Sequence, residues 1–320
     1  MFYYLNKNTV IQLIAAVGLA TWAVIGIITQ MQILPPDNQA FLYQATYPFF
    51  SSNPWSYKAL AITLTLLSAL MVQTFFSISK FAESTTYMPI VFFLLLFDLN
   101  HSFILFSPVF FTFATTAIVL VLNSENEHGN PISHRLFSCG LIIGINTLFD
   151  YNSIWLMAFL VLIIIITRIS KFKEILILLT GFVFIYLYFF TYGFLSDSMS
   201  SIMEGLHKMK FFHIIHHASS IQWLDWLMLG VLGLTLVVFS FSEKIYFDNK
   251  IVALRRRYIF CILLIITSII IMLLSPYRLP TALPYVLMPT SIIFSIASLM
   301  EQRNWVHTFF IIASCVLLWL

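Results

Sequence analysis

The chain has 320 residues, of which 60% are hydrophobic and 9% are Asp, Glu, Lys or Arg, with a formal net charge of +3 and a mean hydropathy of +0.95. Ordinary soluble domains carry roughly 25% charged residues, so this composition excludes a water-soluble fold, and lipid must be the solvent for much of the surface. The small charge gives no basis for nucleic-acid binding, and Cys139, Cys261 and Cys315 stand singly in apolar runs, which offers neither a disulfide framework nor a zinc site.

The first apolar run, 10–31, spans about 22 residues and exceeds the 7 to 15 of a signal-peptide core, so it reads as a retained membrane span. Further runs of spanning length follow at 59–79, 103–122, 153–170, 175–195, 222–242, 257–275 and 282–299. Three others are short: 86–97, 136–149 and 306–320. A 12-residue helix rises only about 18 Å, little more than half of a hydrocarbon core of about 30 Å. Such helices need protein or a water-filled cavity at their ends. The expected fold is all-α: a polytopic transmembrane protein with about 11 spans, some short or discontinuous. No linker or low-complexity tract interrupts it, so residues 1–320 read as a single membrane domain.

Two of the short runs share a pattern that reads as a weak internal repeat. Run 86–97 breaks at Asp98-Leu99-Asn100-His101, run 136–149 breaks at Asp150-Tyr151-Asn152, and each returns in a longer helix. Counting every run as a span places 12 of the 16 basic residues on the side of the N-terminus and 4 on the other. The positive-inside rule therefore sets the N-terminus in the cytoplasm. Arg255-Arg256-Arg257 becomes a cytoplasmic anchor facing anionic lipid.

In this orientation the outer loops collect the polar residues. Loop 32–58 holds Pro35-Pro36-Asp37-Asn38, then Tyr43, Tyr47 and Trp55. The Asp98/His101 and Asp150 turns come next, and the late turn Ser275-Pro276-Tyr277-Arg278-Leu279-Pro280 brings a guanidinium. Each residue has two readings. Asp37 either caps a short interfacial helix or acts chemically. Asp98 and Asp150 either close Asx turns or form the floor of an outward-facing cavity, where ionisable groups are functional candidates. Arg278 either snorkels to headgroups or binds a phosphate.

Loop 196–221 adds Asp197, Glu204, His207 and Lys208. Its His213-Ile214-Ile215-His216-His217 segment has the spacing of a histidine box of the membrane di-iron desaturases. Those enzymes gather about eight histidines on one side, whereas His128 and His134 fall on the opposite side here. An amphipathic interfacial helix over 198–217 fits better, with Met199, Met203, Met209 and Phe211 toward lipid and no metal site.

The phrases Thr86-Tyr87-Met88-Pro89, Leu105-Phe106-Ser107-Pro108, Phe137-Ser138-Cys139-Gly140-Leu141-Ile142-Ile143-Gly144 and Leu179-Thr180-Gly181 resemble an uncharacterised multi-pass inner-membrane family of Bacteroidetes. That resemblance implies a class and an inner-membrane location. More distantly, Asp37 in the first outer loop, Asp98 with His101 in the second, and the Gly140 to Gly144 helix resemble the GT-C glycosyltransferases. No D-x-D or E-x-D motif accompanies Asp37.

The GT-C resemblance implies a polyprenyl-phosphate-linked sugar as substrate at the non-cytoplasmic face. In it Asp37 would be the general base, with Asp98 and His101 positioning the acceptor or a metal. Arg278, Lys208 and His213 would face the lipid phosphate, Tyr43 and Trp55 would stack on the sugar, and Asp150 would also bind substrate. Two other classes remain open: a transporter or flippase of a lipid or small anion, and a non-catalytic subunit of an envelope assembly. The sequence names no cofactor and no protein partner.

Overall fold

The computed structural model describes residues 8–31, 41–82, 86–99, 106–123, 132–150, 153–166, 172–197, 252–274 and 284–299, with single positions at 199 and 233. Among them all regular structure is helical. In chain order the helices are α1 (Thr9–Gln30), α2 (Phe41–Ser52), α3 (Pro54–Ser79), α4 (Met88–Leu99), α5 (Phe106–Asn123), α6 (Ile132–Phe149), α7 (Ile154–Ile166), α8 (Phe172–Leu195), α9 (Val252–Leu274) and α10 (Pro284–Leu299). Four of these, α1, α3, α6 and α8, are long and apolar enough to cross a membrane.

The apolar runs within the described stretches each carry a helix, while 222–242, 306–320 and the interfacial helix expected over 198–217 fall outside them. Three helix starts precede the expected runs by four or five residues, at Pro54 of α3, Ile132 of α6 and Val252 of α9. Helix α6 begins at Ile132 rather than 136 and reaches 18 residues, so it is not a short helix. Hydropathy misses its first turn because Ser133, His134 and Arg135 are polar, yet a helix end can carry polar residues into the interface. In the expected loop 32–58, α2 forms and α3 already starts at Pro54, where a proline at the first helical position removes no intrahelical hydrogen bond.

Specific contacts fix which helix ends lie together. On α1, fully buried Gln12 accepts from the Tyr87 N–H at 2.6 Å and from the Thr86 hydroxyl at 3.2 Å, and Gln73 of α3 donates to the Thr86 carbonyl at 2.6 Å. The start of α4 is thereby held between the start of α1 and the later part of α3, and its orphan N–H groups gain partners. Arg257 of α9 donates to the Ile78 carbonyl at 3.1 Å, which adds the start of α9 to this end. At the opposite end, Lys58 reaches the Ile28 carbonyl and joins the start of α3 to the end of α1.

Helices α5 and α6 run antiparallel, because Arg135 donates to the Leu122 carbonyl at one end and Phe110 packs on Phe149, 4.3 Å between centroids, at the other. Helix α10 starts beside the start of α5, where the Thr112 hydroxyl donates to the Pro284 carbonyl at 2.8 Å and Phe111 meets the Tyr285 ring edge-on.

The centre of the bundle is α10, buried from Pro284 to Ala297 and packed against α4, α5 and α9. Its Thr290, Ser291 and Ser295 hydroxyls donate to the carbonyls of Val286, Met288 and Ser291. Local satisfaction of this kind lets hydroxyls sit in an apolar core without stranded donors. Helix α8 lies at the periphery, with Leu187, Tyr188, Tyr192 and Phe194 exposed, and it is attached chiefly to α6. Those two helices run parallel: Gly140 meets Gly181, and Gly144 meets Ile185 one turn further on. Small residues at the crossing let the backbones touch, which drives helix association in lipid where the hydrophobic effect between helices is absent. Since α6 and α8 run parallel, α7 returns the chain between them.

Candidate functional site

At the end of the bundle where α4 and α6 stop, polar side chains enter an otherwise apolar interior. Asp98, in the last turn of α4, is 7% exposed, and among the described residues neither carboxylate oxygen has a hydrogen-bond partner. Asp150 follows α6 directly and is 4% exposed. Its N–H donates to the Asn146 carbonyl at 2.7 Å and its carbonyl accepts from the Ser153 N–H at 3.0 Å, so the chain turns from α6 into α7 around this residue.

The Asp150 carboxylate is fixed from another helix. The Tyr285 hydroxyl of α10 donates to its Oδ2 at 2.5 Å. Tyr285 is itself buried, and its ring is wedged against Phe111, so the hydroxyl is held by packing. Replacing Tyr285 by Phe keeps that packing and removes this bond. Interhelical hydrogen bonds in membrane proteins average about 0.6 kcal/mol, and those to charged groups in proteins reach roughly 1.5–3. We expect Tyr285→Phe to lower unfolding free energy in detergent by about 1 kcal/mol; no change would mean the bond is absent.

One turn before Asp150, Asn146 is fully buried, and neither its amide nitrogen nor its oxygen has a described partner. Helical phase shows which way it faces. Cys139, Ile143, Asn146 and Asp150 fall within an arc of about 60° at 100° per residue. Cys139 on this arc meets the Ile118 carbonyl of α5, and Asp150 meets α10, so the arc faces the α5–α10 side of the bundle. Ser153, also fully buried, has a hydroxyl without a described partner. Buried polar groups are nearly always paired, which makes this accumulation at one helix break unusual.

Of the residues proposed from sequence, Asp98 and Asp150 are buried at this end. Trp55 lies at the same end, near the start of α3, but is 70% exposed with the Lys58 ammonium 6.0 Å from its ring centroid. Tyr43 is on α2, a helix packed against α3 and α6, but its side chain lies outside the described residues, as do Asp37, His101, Lys208, His213 and Arg278. Among the described residues no three His, Cys, Asp or Glu side chains come together as a metal site.

Sequence reasoning missed Tyr285, Asn146 and Ser153. Asn146 and Ser153 carried a signal, as polar residues four before and three after Asp150 in apolar surroundings; Tyr285, 135 residues away, carried none.

The profile of a family of unknown function, DUF6427, matches residues 38–320. The chain belongs to this family. The matched span takes in α2 to α10 and every residue of the polar cluster, and leaves out α1 and Asp37. No curated protein and no solved structure matches the chain. Membership in DUF6427 therefore assigns no activity, and the chemistry must be read from the buried groups.

Proposed function

We propose that this chain is a multi-pass protein of the inner membrane, one membrane domain over 1–320 with about 11 spans, which holds a polyprenyl-phosphate-linked glycan at its non-cytoplasmic end during envelope biogenesis. The observation that carries this reading is Asp98, an acidic group enclosed at that end without a described partner. Keeping an unpaired acid in an apolar helix is costly, and such groups mark sites of work within membranes. Here Asp98 would position a hydroxyl of the acceptor, with Asp37, His101 and Arg278 completing the site as the GT-C resemblance implies.

The arrangement of charge supports the orientation. Lys80, Arg135 and Arg257 gather at the end where α3 stops and α6 and α9 start, opposite Asp98 and Asp150. That is the distribution expected with the basic end in the cytoplasm. Helices α8 and α9 both start at the basic end.

A second reading, transport or flipping of a lipid or small anion, is favoured by the enclosure of Asp98, since mid-membrane acids also serve as proton or substrate sites in carriers. One experiment separates the two. In cells carrying Asp98→Asn at unchanged protein abundance, envelope-glycan incorporation should fall about 100-fold, the order of the cost of a misplaced reactant. Under group transfer the lipid-linked intermediate accumulates in the outer leaflet; under flipping it accumulates in the inner one. Undiminished incorporation in Asp98→Asn would sink both.

A further inference from the structure

Charge selects what Asp98 can hold. We propose that the glycan bound at the outer end is an amino sugar, carrying an unsubstituted amine beside a hydroxyl, and that Asp98 takes the ammonium on one carboxylate oxygen and the hydroxyl on the other. This rests on the reading of Asp98 as part of a glycan site and adds the chemical class of the sugar.

Both Asp98 oxygens are enclosed without a described partner, so the side chain offers two acceptors. An ionised carboxylate only accepts, and a ligand must bring both donors. A charge enclosed in an apolar bundle is costly unless an opposite charge joins it. Among the described residues none at this end brings that charge to Asp98. Lys58, the one described base there, has its ammonium on the Ile28 carbonyl. Arg135 and Arg257 sit at the opposite end, on the carbonyls of Leu122 and Ile78.

The helix increases the demand for a cation. Asp98 stands in the last turn of α4, and no basic residue accompanies it in that turn. The final carbonyls of a helix have no partner within it and form the negative end of its dipole, so a carboxylate there meets like charge. A ligand phosphate beside Asp98 would worsen that repulsion, and helix C-terminal ends inside membrane proteins hold cations for the same reason. A neutral sugar hydroxyl supplies a donor but no charge. A primary ammonium supplies both, and its bond to the carboxylate is of the stronger, charge-assisted kind. The neighbouring hydroxyl of an amino sugar then reaches the second oxygen.

The test titrates the purified full chain, in uncharged detergent, by calorimetry with methyl glucosaminide, its N-acetyl derivative and methyl glucoside. Ethanolamine, which has the ammonium and the hydroxyl without a sugar ring, is the fourth probe. Methyl glucosaminide should bind about 30-fold more tightly than either neutral glycoside, the size of a hydrogen bond to a charged group. Asp98→Asn should reduce it to the level of methyl glucoside. Asp197→Asn should keep the full preference, since Asp197 is an exposed acid at the end of α8 in a left-handed conformation that asparagine also adopts.

Binding of methyl glucosaminide that Asp98→Asn retains, or that Asp197→Asn loses, overturns the proposal, and so does the absence of binding by every probe. Equal binding of the three glycosides removes the ammonium and leaves the glycan reading standing. Asp98-dependent binding of ethanolamine without methyl glucosaminide removes the glycan reading, and the amino sugar with it.

Discussion

Gly181→Val is expected to lower unfolding free energy by about 3 kcal/mol, the upper end of what overpacking usually does. A Cβ built on Gly181 collides with the Phe137 carbonyl oxygen and comes 3.2 Å from the Leu141 nitrogen. On the facing helix, a Cβ on Gly140 collides with the Leu178 carbonyl oxygen and comes 2.9 Å from the Phe182 nitrogen. All of these atoms belong to backbone, which cannot swing aside as a long side chain can. Relief therefore requires α8 to shift bodily off α6, losing the dispersion contacts that join the two helices. Differential scanning of the detergent-solubilised chain reads the loss as a fall in Tm. Gly18→Val on α1 is the control, since nothing lies within 4 Å of its Cβ position, and its Tm should stay within the range of a neutral surface change. Equal Tm values for the two variants would remove the close α6–α8 contact.

Asp98→Leu should have the opposite sign. Both oxygens of Asp98 lie buried without a described partner, and a buried polar group left unsatisfied costs about 1–3 kcal/mol. Leucine keeps the branched shape, with methyl groups in place of the two oxygens, and buries apolar surface in an apolar helix, so replacing the acid should raise unfolding free energy by about 2 kcal/mol. The same change should abolish envelope-glycan incorporation. Residues kept at the expense of stability are the pattern expected of a functional site. The informative comparison is with Asp150→Leu, which breaks the bond from Tyr285 and should be destabilising. If Asp98→Leu instead unfolds the protein, Asp98 is a structural residue with partners of its own, and the glycan reading loses its support.

Much of the fold was legible without coordinates, because a helix in lipid must satisfy its backbone within itself and advertises its length as an apolar run. Helices α1, α3, α5, α8, α9 and α10 each coincide with such a run to within a few residues. Helix ends were less legible where polar residues extend the helix, as at Ile132 of α6, or where a proline hides a start, as at Pro54 of α3. Helix α2 lacks a long apolar run, and only the reading of Asp37 as a helix cap pointed to it.

The candidate site divides in the same way. Asp98 and Asp150 stood out because acidic residues beside apolar runs are rare and costly. What the sequence by itself determined is therefore an all-α chain of strongly apolar composition, the approximate place of most helices, and the two acids at their breaks. Only the tertiary structure decided that Tyr285 fixes Asp150, that Asn146 and Asp98 are buried without a described partner, and that α6 and α8 meet backbone to backbone through Gly140 and Gly181. The physical reason is one of range. Burial in lipid acts residue by residue and is written in local hydropathy, whereas a hydrogen bond across 135 positions or a contact between two glycines exists only once the helices have packed.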